Sequence, residues 1–312
     1  MHSARSSRLV ILIAAIFALL ASSTAAAAQR RAGDYPVTVH SADGSVTVPA
    51  RPTRILSLSP SATQMLYAIG AGHQVVGVDK YSTYPPGAPR TSLTGGETNA
   101  QAYLPFHPDL VVLAFSTGTV IAQLHALHIP TLLLPPATTF ANVDAQIAEL
   151  GAATGHIHHA ALVVRSLGSD LQRAARGVQA AVAGKSYYVE LDPTLYSATA
   201  HTFIGAVFSL FHMRDIADPG AKAGPYPQLS PEYLLTSNPD YVVLADTMCC
   251  GQSPSTFAKR PGFSALSAVK DHHVLTVPDS LASQWGPHSL ETLVALLAHD
   301  FHHRHAAARR LR

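Results

Sequence analysis

The chain has 312 residues, of which 13% are charged, and a formal net charge of +2. The low net charge argues against a nucleic-acid-binding protein, which would need a broad basic surface. Lysines and arginines cluster only at the C-terminus, within residues 304–312. The length exceeds what one hydrophobic core usually holds, which predicts two domains. The two cysteines, Cys249 and Cys250, are adjacent and cannot link distant segments, and the sequence leaves open whether they form a disulfide.

The N-terminus has the pattern of a signal peptide. Arg5 and Arg8 precede an unbroken apolar run from Leu9 to Ala21, and small residues follow up to Ala28. Such a run is too short to span a bilayer, so we predict that residues 1–28 are removed, which lowers the formal charge to zero. Because no cysteine lies near the cleavage site, we expect a soluble mature protein without a lipid anchor, in the periplasm or secreted.

Short apolar strands alternate with helical segments in the mature sequence. After a polar strand candidate at 37–48, residues 55–59 are typical of a buried strand, and a helix begins at Pro60. Ser59 can cap this helix, or Ser61 can do so in a capping box with Gln64. Further strands are predicted at 75–78, 110–114 and 131–134. This alternation predicts parallel sheets that are covered by helices on both faces.

An internal repeat divides the chain into two similar halves. Residues 107–114, His-Pro-Asp-Leu-Val-Val-Leu-Ala, recur at 238–245 as Asn-Pro-Asp-Tyr-Val-Val-Leu-Ala, an offset of 131. Two more strands recur in the same order at similar offsets, which predicts two related, Rossmann-like α/β lobes. A proline-free helix between the halves would be about 40 Å long and rigid, so we expect only small opening motions. The predicted division is an N-terminal lobe at 29–154, a linker helix at 155–184 and a C-terminal lobe at 185–312.

The loops that follow the strands supply the candidate site. Open parallel sheets bind ligands beyond the carboxyl ends of their strands. These loops are aromatic, hydroxylic and nearly uncharged, which suits a large and partly apolar ligand. The candidate ligand-binding residues are Ser59, Ser61, Tyr81, Tyr84, Ser116, Thr117, Tyr196, His201, Cys249, Trp285 and His288.

The sequence lacks the common catalytic, phosphate-binding and dinucleotide-binding motifs. Histidines at 156–159 and 299–305 have no acidic or cysteine partner set in sequence, so we expect solvated helix faces and no metal site or cofactor. An enzyme that acts on a tetrapyrrole or an ester, with His201 or His288 as its base, is the distant alternative. It lacks a nucleophile or second acid to complete the site.

Residues 51–72, Arg-Pro-Thr-Arg-Ile-Leu-Ser-Leu-Ser-Pro-Ser-Ala-Thr-Gln-Met-Leu-Tyr-Ala-Ile-Gly-Ala-Gly, carry a family resemblance. Together with Val-Val-Gly-Val-Asp at 75–79 and Tyr-Pro-Pro at 84–86, they closely resemble the opening of the periplasmic binding proteins of cobalamin and iron-siderophore ABC transporters. The likeness continues at 107–111, 202–205, 226–232, 238–240, 260–263 and 268–270. It implies two lobes joined by one rigid helix, a ligand in the cleft, and a monomer that delivers this ligand to an ABC permease and, through it, to the ATPase.

The resemblance also implies how the protein docks and what it carries. Members of this family dock through one acidic residue on each lobe, which here places Glu232 on the second lobe. The matching first-lobe position is Gln101, which leaves Glu97 as the nearest substitute. The segment Tyr81–Pro86 resembles that of cobalamin-binding members, so cobalamin or a related corrinoid is the first expectation. Haem, a ferric siderophore, or a sensor role in place of transport stays open.

Overall fold

The computed structural model describes residues 35–116 and 118–310, and the side chains at 221, 223 and 305–310 are not described. The predicted signal peptide at 1–28 and the candidate Thr117 lie outside the described residues. Within the described ranges, no helix is both long enough and apolar enough to cross a bilayer.

Ten strands and eleven α-helices make up the described fold. The strands are β1 Val37–Ser41, β2 Gly44–Val48, β3 Ile55–Leu58, β4 Val75–Val78, β5 Leu110–Leu113, β6 Thr131–Leu133, β7 Ser186–Glu190, β8 Arg214–Asp215, β9 Tyr241–Leu244 and β10 Val274–Thr276. The helices are α1 Pro60–Ala68, α2 Val120–Ala126, α3 Phe140–Thr154, α4 Ile157–Val182, α5 Phe203–Ser209, α6 Pro231–Ser237, α7 Thr247–Cys250, α8 Pro254–Ala258, α9 Ser267–Lys270, α10 Asp279–Ala282 and α11 Pro287–Arg310.

Two four-stranded parallel sheets have the same topology. Their strand orders are β4-β3-β5-β6 and β8-β7-β9-β10, so in each lobe the first strand lies between the second and the third. The predicted fold of two related α/β lobes with parallel sheets is confirmed. The single strand predicted at 37–48 is wrong, because the chain turns before Gly44 and forms the antiparallel hairpin β1–β2.

The repeated Pro-Asp sequence has the same structural task in both lobes. Asp109 accepts hydrogen bonds from the backbone N–H groups of Thr53 and Arg54, at 2.8 and 2.9 Å. Asp240 accepts from the backbone N–H of Ser186 at 2.8 Å and from Lys185 Nζ at 2.9 Å. Each carboxylate thus ties the start of the third strand to the start of the first strand.

One apolar core runs through both lobes. Successive residues of a strand point to opposite faces of its sheet, so Tyr187 lies in this shared core while Tyr188 packs in a separate outer core. In the first lobe, Val112 and Leu113 divide between the shared core and an outer core in the same way. The inner faces of the two sheets therefore pack into one continuous core.

The linker helix α4 and the last helix α11 form the centre of this shared core. Helix α4 spans Ile157–Val182, within the predicted range of 155–184, and α11 packs along it. The buried face of α4 consists of Ala160, Leu167, Leu171, Ala175, Val178 and Val182. How the flanking residues divide between the lobes stays a prediction.

A buried acid pair lies at the carboxyl edge of the second sheet. Glu190, the last residue of β7, is fully buried and accepts two hydrogen bonds from the guanidinium of Arg260, at 2.7 and 2.6 Å. Asp246, two residues beyond β9, is also fully buried, and no described group donates a hydrogen bond to either of its carboxylate oxygens. Burial and the Glu190 carboxylate beside it raise the pKa of Asp246 to about 7. Asp246 therefore carries a proton below about pH 7.

Alanine substitutions at two glycines, one in the linker helix and one where α3 crosses it, should change the unfolding free energy in opposite directions. Gly168 is exposed inside α4, with open space where a Cβ would stand, so we expect Gly168→Ala to raise the unfolding free energy by about 0.5–1 kcal/mol. At Gly151 of α3, a Cβ would overlap that of Ala160 in α4, so Gly151→Ala should lower the unfolding free energy. Urea unfolding followed by circular dichroism measures both. A neutral or stabilising Gly151→Ala would contradict the close α3–α4 crossing.

The Asp246→Asn variant isolates the buried proton. The folded chain holds this proton up to about pH 7, whereas an unfolded aspartate releases it near pH 4, at about its unperturbed pKa. The stability that Asp246 contributes is therefore full below about pH 4 and is lost as the pH rises towards about 7. An amide does not ionise, so relative to the wild type the unfolding free energy of the variant should gain roughly 4 kcal/mol between pH 4 and pH 8, at about 1.4 kcal/mol for each unit between the folded and unfolded pKa values.

Asp240→Asn is the control of opposite sign in the same urea unfolding series. Burial acts to raise the pKa of Asp240, but hydrogen bonds from Ser186 and Lys185 outweigh it and lower this pKa. Its stabilising effect is thus present at neutral pH and is lost as the pH falls below about 4. If the difference between Asp246→Asn and the wild type is the same at pH 4 and pH 8, Asp246 does not hold the proton.

Candidate functional site

A cleft with a volume of about 800 Å³ lies between the carboxyl ends of the two sheets. The first lobe contributes the loops after β3, β4, β5 and β6, and the second lobe contributes the segments after β9 and β10. The lining residues are Ser59, Pro60, Ser61, Lys80, Tyr81, Thr83, Ala114, Phe115, Pro136, Met248, Asp279, Ser280, Ser283, Gln284 and Trp285. This volume falls within the range of small-molecule sites.

The first wall of the cleft is the start of helix α1. Ser59 is the N-cap of this helix, and its hydroxyl accepts a hydrogen bond from the Ala62 N–H at 3.3 Å. The alternative capping box of Ser61 with Gln64 is wrong, because the Ser61 hydroxyl accepts from the backbone N–H of Trp285 at 3.0 Å. The side chains of both serines are buried, and both residues line the cleft.

Gln64 joins the two lobes at the base of the cleft. Its Nε2 donates to Gln284 Oε1 and to Ser289 Oγ, both at 2.8 Å, and its Oε1 accepts from the Ser289 N–H at 3.0 Å. Gly286 makes room for this amide, because a Cβ there would overlap Gln64. A buried amide with all these bonds made holds the lobes in register.

Trp285 forms the floor of the cleft. It is the only tryptophan of the chain, and its side chain is 8% exposed. Its indole Nε1 donates to Gln146 Oε1 in helix α3 at 2.8 Å. Trp285 is thus a structural contact between the lobes as well as a lining residue, and ligand contact through its ring stays a prediction.

An aromatic face lies across the cleft from the second lobe. Tyr81 is 58% exposed, and the Lys80 ammonium lies 4.8 Å from the centroid of its ring. Phe115, also exposed, lines the cleft directly after β5. Phe115 is not among the candidates predicted from the sequence, although its position just beyond the end of a strand is the same signal that identifies Tyr81.

Tyr84 and His288 are brought together, but outside the lining of this cleft. Their rings stack with centroids 3.6 Å apart and planes 8° apart, so the pair bridges the two lobes. Each ring covers one face of the other. Any ligand contact by either residue therefore uses the opposite face or an edge.

The remaining candidates within the described residues are not among those that line the cleft. Cys249 is exposed and forms a disulfide with Cys250, next to the lining residue Met248. Ser116, Tyr196 and His201 are not among the residues that line the cleft, although Tyr196 and His201 are exposed and Ser116 is half-buried. Their predicted contacts with the ligand remain predictions.

The two acidic docking candidates differ in setting. Glu232 is exposed in the first turn of α6. Glu97 is half-buried, and its Oε1 accepts hydrogen bonds from the N–H and the hydroxyl of Thr94, both at 3.2 Å. Gln101, which the repeat aligns with Glu232, is exposed in a 3₁₀ turn at 100–102. In the part of the chain that is described, no group of three or more histidine, cysteine or acidic residues could hold a metal ion.

Comparison with curated proteins gives relatives along most of the chain. A sequence profile described as periplasmic binding protein matches residues 55–281. The uncharacterized ABC transporter substrate-binding lipoprotein YvrC of Bacillus subtilis strain 168 is 31% identical over 275 residues, which cover 85% of this chain and 85% of the relative. The cobalamin-binding protein of Halobacterium salinarum strain ATCC 29341 is 29% identical over 324 aligned positions, covering 97% of this chain and 86% of the relative.

Solved structures share the fold. The apo form of the periplasmic heme-binding protein RhuT from Roseiflexus sp. RS-1 superposes with a TM-score of 0.70 at 20% identity, covering 81% of this chain and 99% of that one. The periplasmic vitamin B12 binding protein BtuF of Vibrio cholerae superposes with a TM-score of 0.65 at 23% identity, covering 81% and 98%. Proteins named for two different ligands thus have this fold, which by itself does not select the ligand. The profile match over residues 55–281 and the identity to the Bacillus lipoprotein show that the chain belongs to the periplasmic binding protein family.

Proposed function

We propose that this protein binds cobalamin or a related corrinoid in the cleft between its lobes and delivers it to an ABC importer. The observation that carries the proposal is the cleft itself, about 800 Å³ in volume and lined by aromatic, apolar and hydroxyl groups. Among the described residues that line it, Lys80 and Asp279 are the only charged ones. A large ring system with scattered polar groups fits such a lining better than a compact anion does.

The relatives support the corrinoid over the other cargoes of this fold. The Halobacterium relative, which aligns with nearly the whole chain, is named a cobalamin-binding protein. An anionic ferric chelate would favour arginine contacts, and no arginine lies among the described residues that line the cleft. Haem remains the second candidate, because the exposed phenol of Tyr81 at the cleft could approach an iron centre.

The proposed partners follow from a substrate-binding role in an ABC system. The protein would meet the permease after export as a monomer and, through the permease, act with the ATPase. Glu232 is the proposed docking residue of the second lobe because it is exposed at the start of a surface helix. Glu97 is its proposed counterpart on the first lobe, in place of the neutral Gln101. No chemistry is proposed at the cleft.

Fluorescence of Trp285 tests the proposal on the purified mature chain. We expect cyanocobalamin, after correction for inner-filter absorbance, to quench the emission saturably with a Kd at or below about 1 µM, or roughly −8 kcal/mol. Replacing the exposed Tyr81 by alanine removes a ring from the cleft wall, so Tyr81→Ala should weaken binding about tenfold, which is about 1.4 kcal/mol. Titration calorimetry provides a readout that does not depend on the tryptophan.

Tyr226→Ala is the matched control, because this tyrosine is 49% exposed but does not line the cleft. Its affinity should equal that of the wild type. Haemin is titrated in parallel, and a saturable Soret shift without a corrinoid response would move the cargo to haem. If cyanocobalamin gave no binding signal in either fluorescence or calorimetry, the corrinoid would be excluded as the ligand.

A further inference from the structure

The segment that follows β9 reaches the cleft from the second lobe. This rim loop, defined as Thr247–Gly251, forms the four-residue helix α7 and ends at Gly251 in the left-handed conformation. Met248 is 81% exposed and lines the cleft. Apart from Trp285 in the floor, Met248 is the only large apolar side chain that the second lobe contributes to the described lining. It therefore lies where the second lobe would contact an apolar ligand face.

No hydrophobic packing holds the rim loop in place, because none of the residues in α7 is buried. The Asp279 carboxylate instead accepts hydrogen bonds from the Met248 N–H at 2.9 Å, the Cys249 N–H at 2.8 Å and the Thr247 hydroxyl at 3.2 Å. Burial acts to raise the pKa of Asp279, but these donors outweigh it and lower the pKa. Asp279 is therefore an ionised anchor for the loop at neutral pH.

The second restraint on the rim loop is covalent. A disulfide joins Cys249 to Cys250, which are consecutive residues. A ring closed over one peptide unit restricts the backbone dihedrals on both sides of it, and this restriction lies next to Met248. Without the ring, this unpacked four-residue turn would depend on hydrogen bonds alone, to the Asp279 carboxylate and to the backbone carbonyls of Asp246 and Val277. The disulfide thus limits how far the Met248 side chain can move from the cleft.

Cys249 and Cys250 are both exposed, which makes the disulfide between them accessible to thiols. Thiol–disulfide exchange with a dithiol transfers two electrons and two protons. The bond between the cysteine sulfurs breaks, both cysteines become thiols, and the dithiol leaves as its own cyclic disulfide. The rim loop would then keep its hydrogen bonds to Asp279 but lose its covalent restraint.

Methionine suits a contact of this kind. Its thioether is polarisable and its unbranched chain adapts to irregular or flat apolar surfaces. The same flexibility makes methionine costly to order, so a rigid backbone beneath it favours binding. Preorganisation of a contact residue raises affinity without adding any new contact.

We propose that Met248 contacts the ligand from the second lobe and that the Cys249–Cys250 disulfide holds it in place, so that reduction by a dithiol weakens binding. This inference rests on the proposed function, since it concerns the same cleft. It makes the rim loop a redox-sensitive part of the binding site.

The test combines affinity with a measurement that needs no ligand. Cyanocobalamin is titrated into the oxidised wild type, Met248→Ala, the double variant Cys249→Ser/Cys250→Ser, and the triple combination. We expect Met248→Ala and the double serine variant each to raise Kd by about three- to tenfold, and the triple variant to raise it by less than the product of the two. Leu162→Ala, which removes an exposed apolar side chain on α4, is the control and should not change Kd.

Hydrogen exchange by NMR on the unliganded protein follows the Met248 and Cys249 amides. Their exchange should be at least about fivefold faster in the double serine variant than in the oxidised wild type, because the loop opens more often. Equal exchange rates would overturn the role of the disulfide, whether or not any ligand binds. Unchanged affinity in Met248→Ala, with a wild type that binds, would overturn the contact. If the wild type binds neither cyanocobalamin nor haemin, the proposed function fails and Met248 has no cargo to contact, while the exchange rates still decide the part of the disulfide.

Discussion

The shared apolar core is the constraint on which the rest of this structure depends. Because side chains alternate along each strand, the inner faces of both sheets send their residues into a single core around α4 and α11. Opening the cleft widely would expose part of this core to water, at about 25 cal/mol for each Å² of apolar surface. Only small rotations of the lobes avoid that cost. The cleft is therefore largely preformed, and its shape in the free protein is informative about its ligand.

A second consequence concerns the base of the cleft, where polar bonds cross between the lobes. Gln64 and Trp285 satisfy their hydrogen-bonding groups with partners in the opposite lobe. Separating the lobes would leave these groups to be rehydrated or unpaired. The core resists opening in proportion to area, whereas the hydrogen bonds resist changes of register. Together they leave the upper rim, with Tyr81 on one side and Met248 on the other, as the place where the cleft can adjust.

Much of the fold could be predicted because its signals are local and repeated. The repeated Pro-Asp sequence, at an offset of 131, marks structurally equivalent positions. Asp109 binds the start of the first strand in the first lobe, and Asp240 does the same in the second lobe. The partners of Gln64 could not be predicted, because they lie about 220 residues away in sequence and a capping box offered a plausible local alternative. The proton on Asp246 was equally inaccessible, since it depends on burial beside Glu190 and not on any spacing.

The two lobes share a topology but differ in the chemistry of their sheet edges. In the first lobe, the residues after β3, β4 and β5 present hydroxyls and rings to the cleft. In the second lobe, the edge carries Glu190, which binds Arg260, and the buried Asp246, whose pKa is raised by burial and by the Glu190 carboxylate. A guanidinium engaged bidentately by a buried carboxylate is not available to an anionic ligand. Glu190 and Arg260 thus act on the structure of the second lobe itself, and Asp279 is the only charged residue that this lobe contributes to the described lining of the cleft.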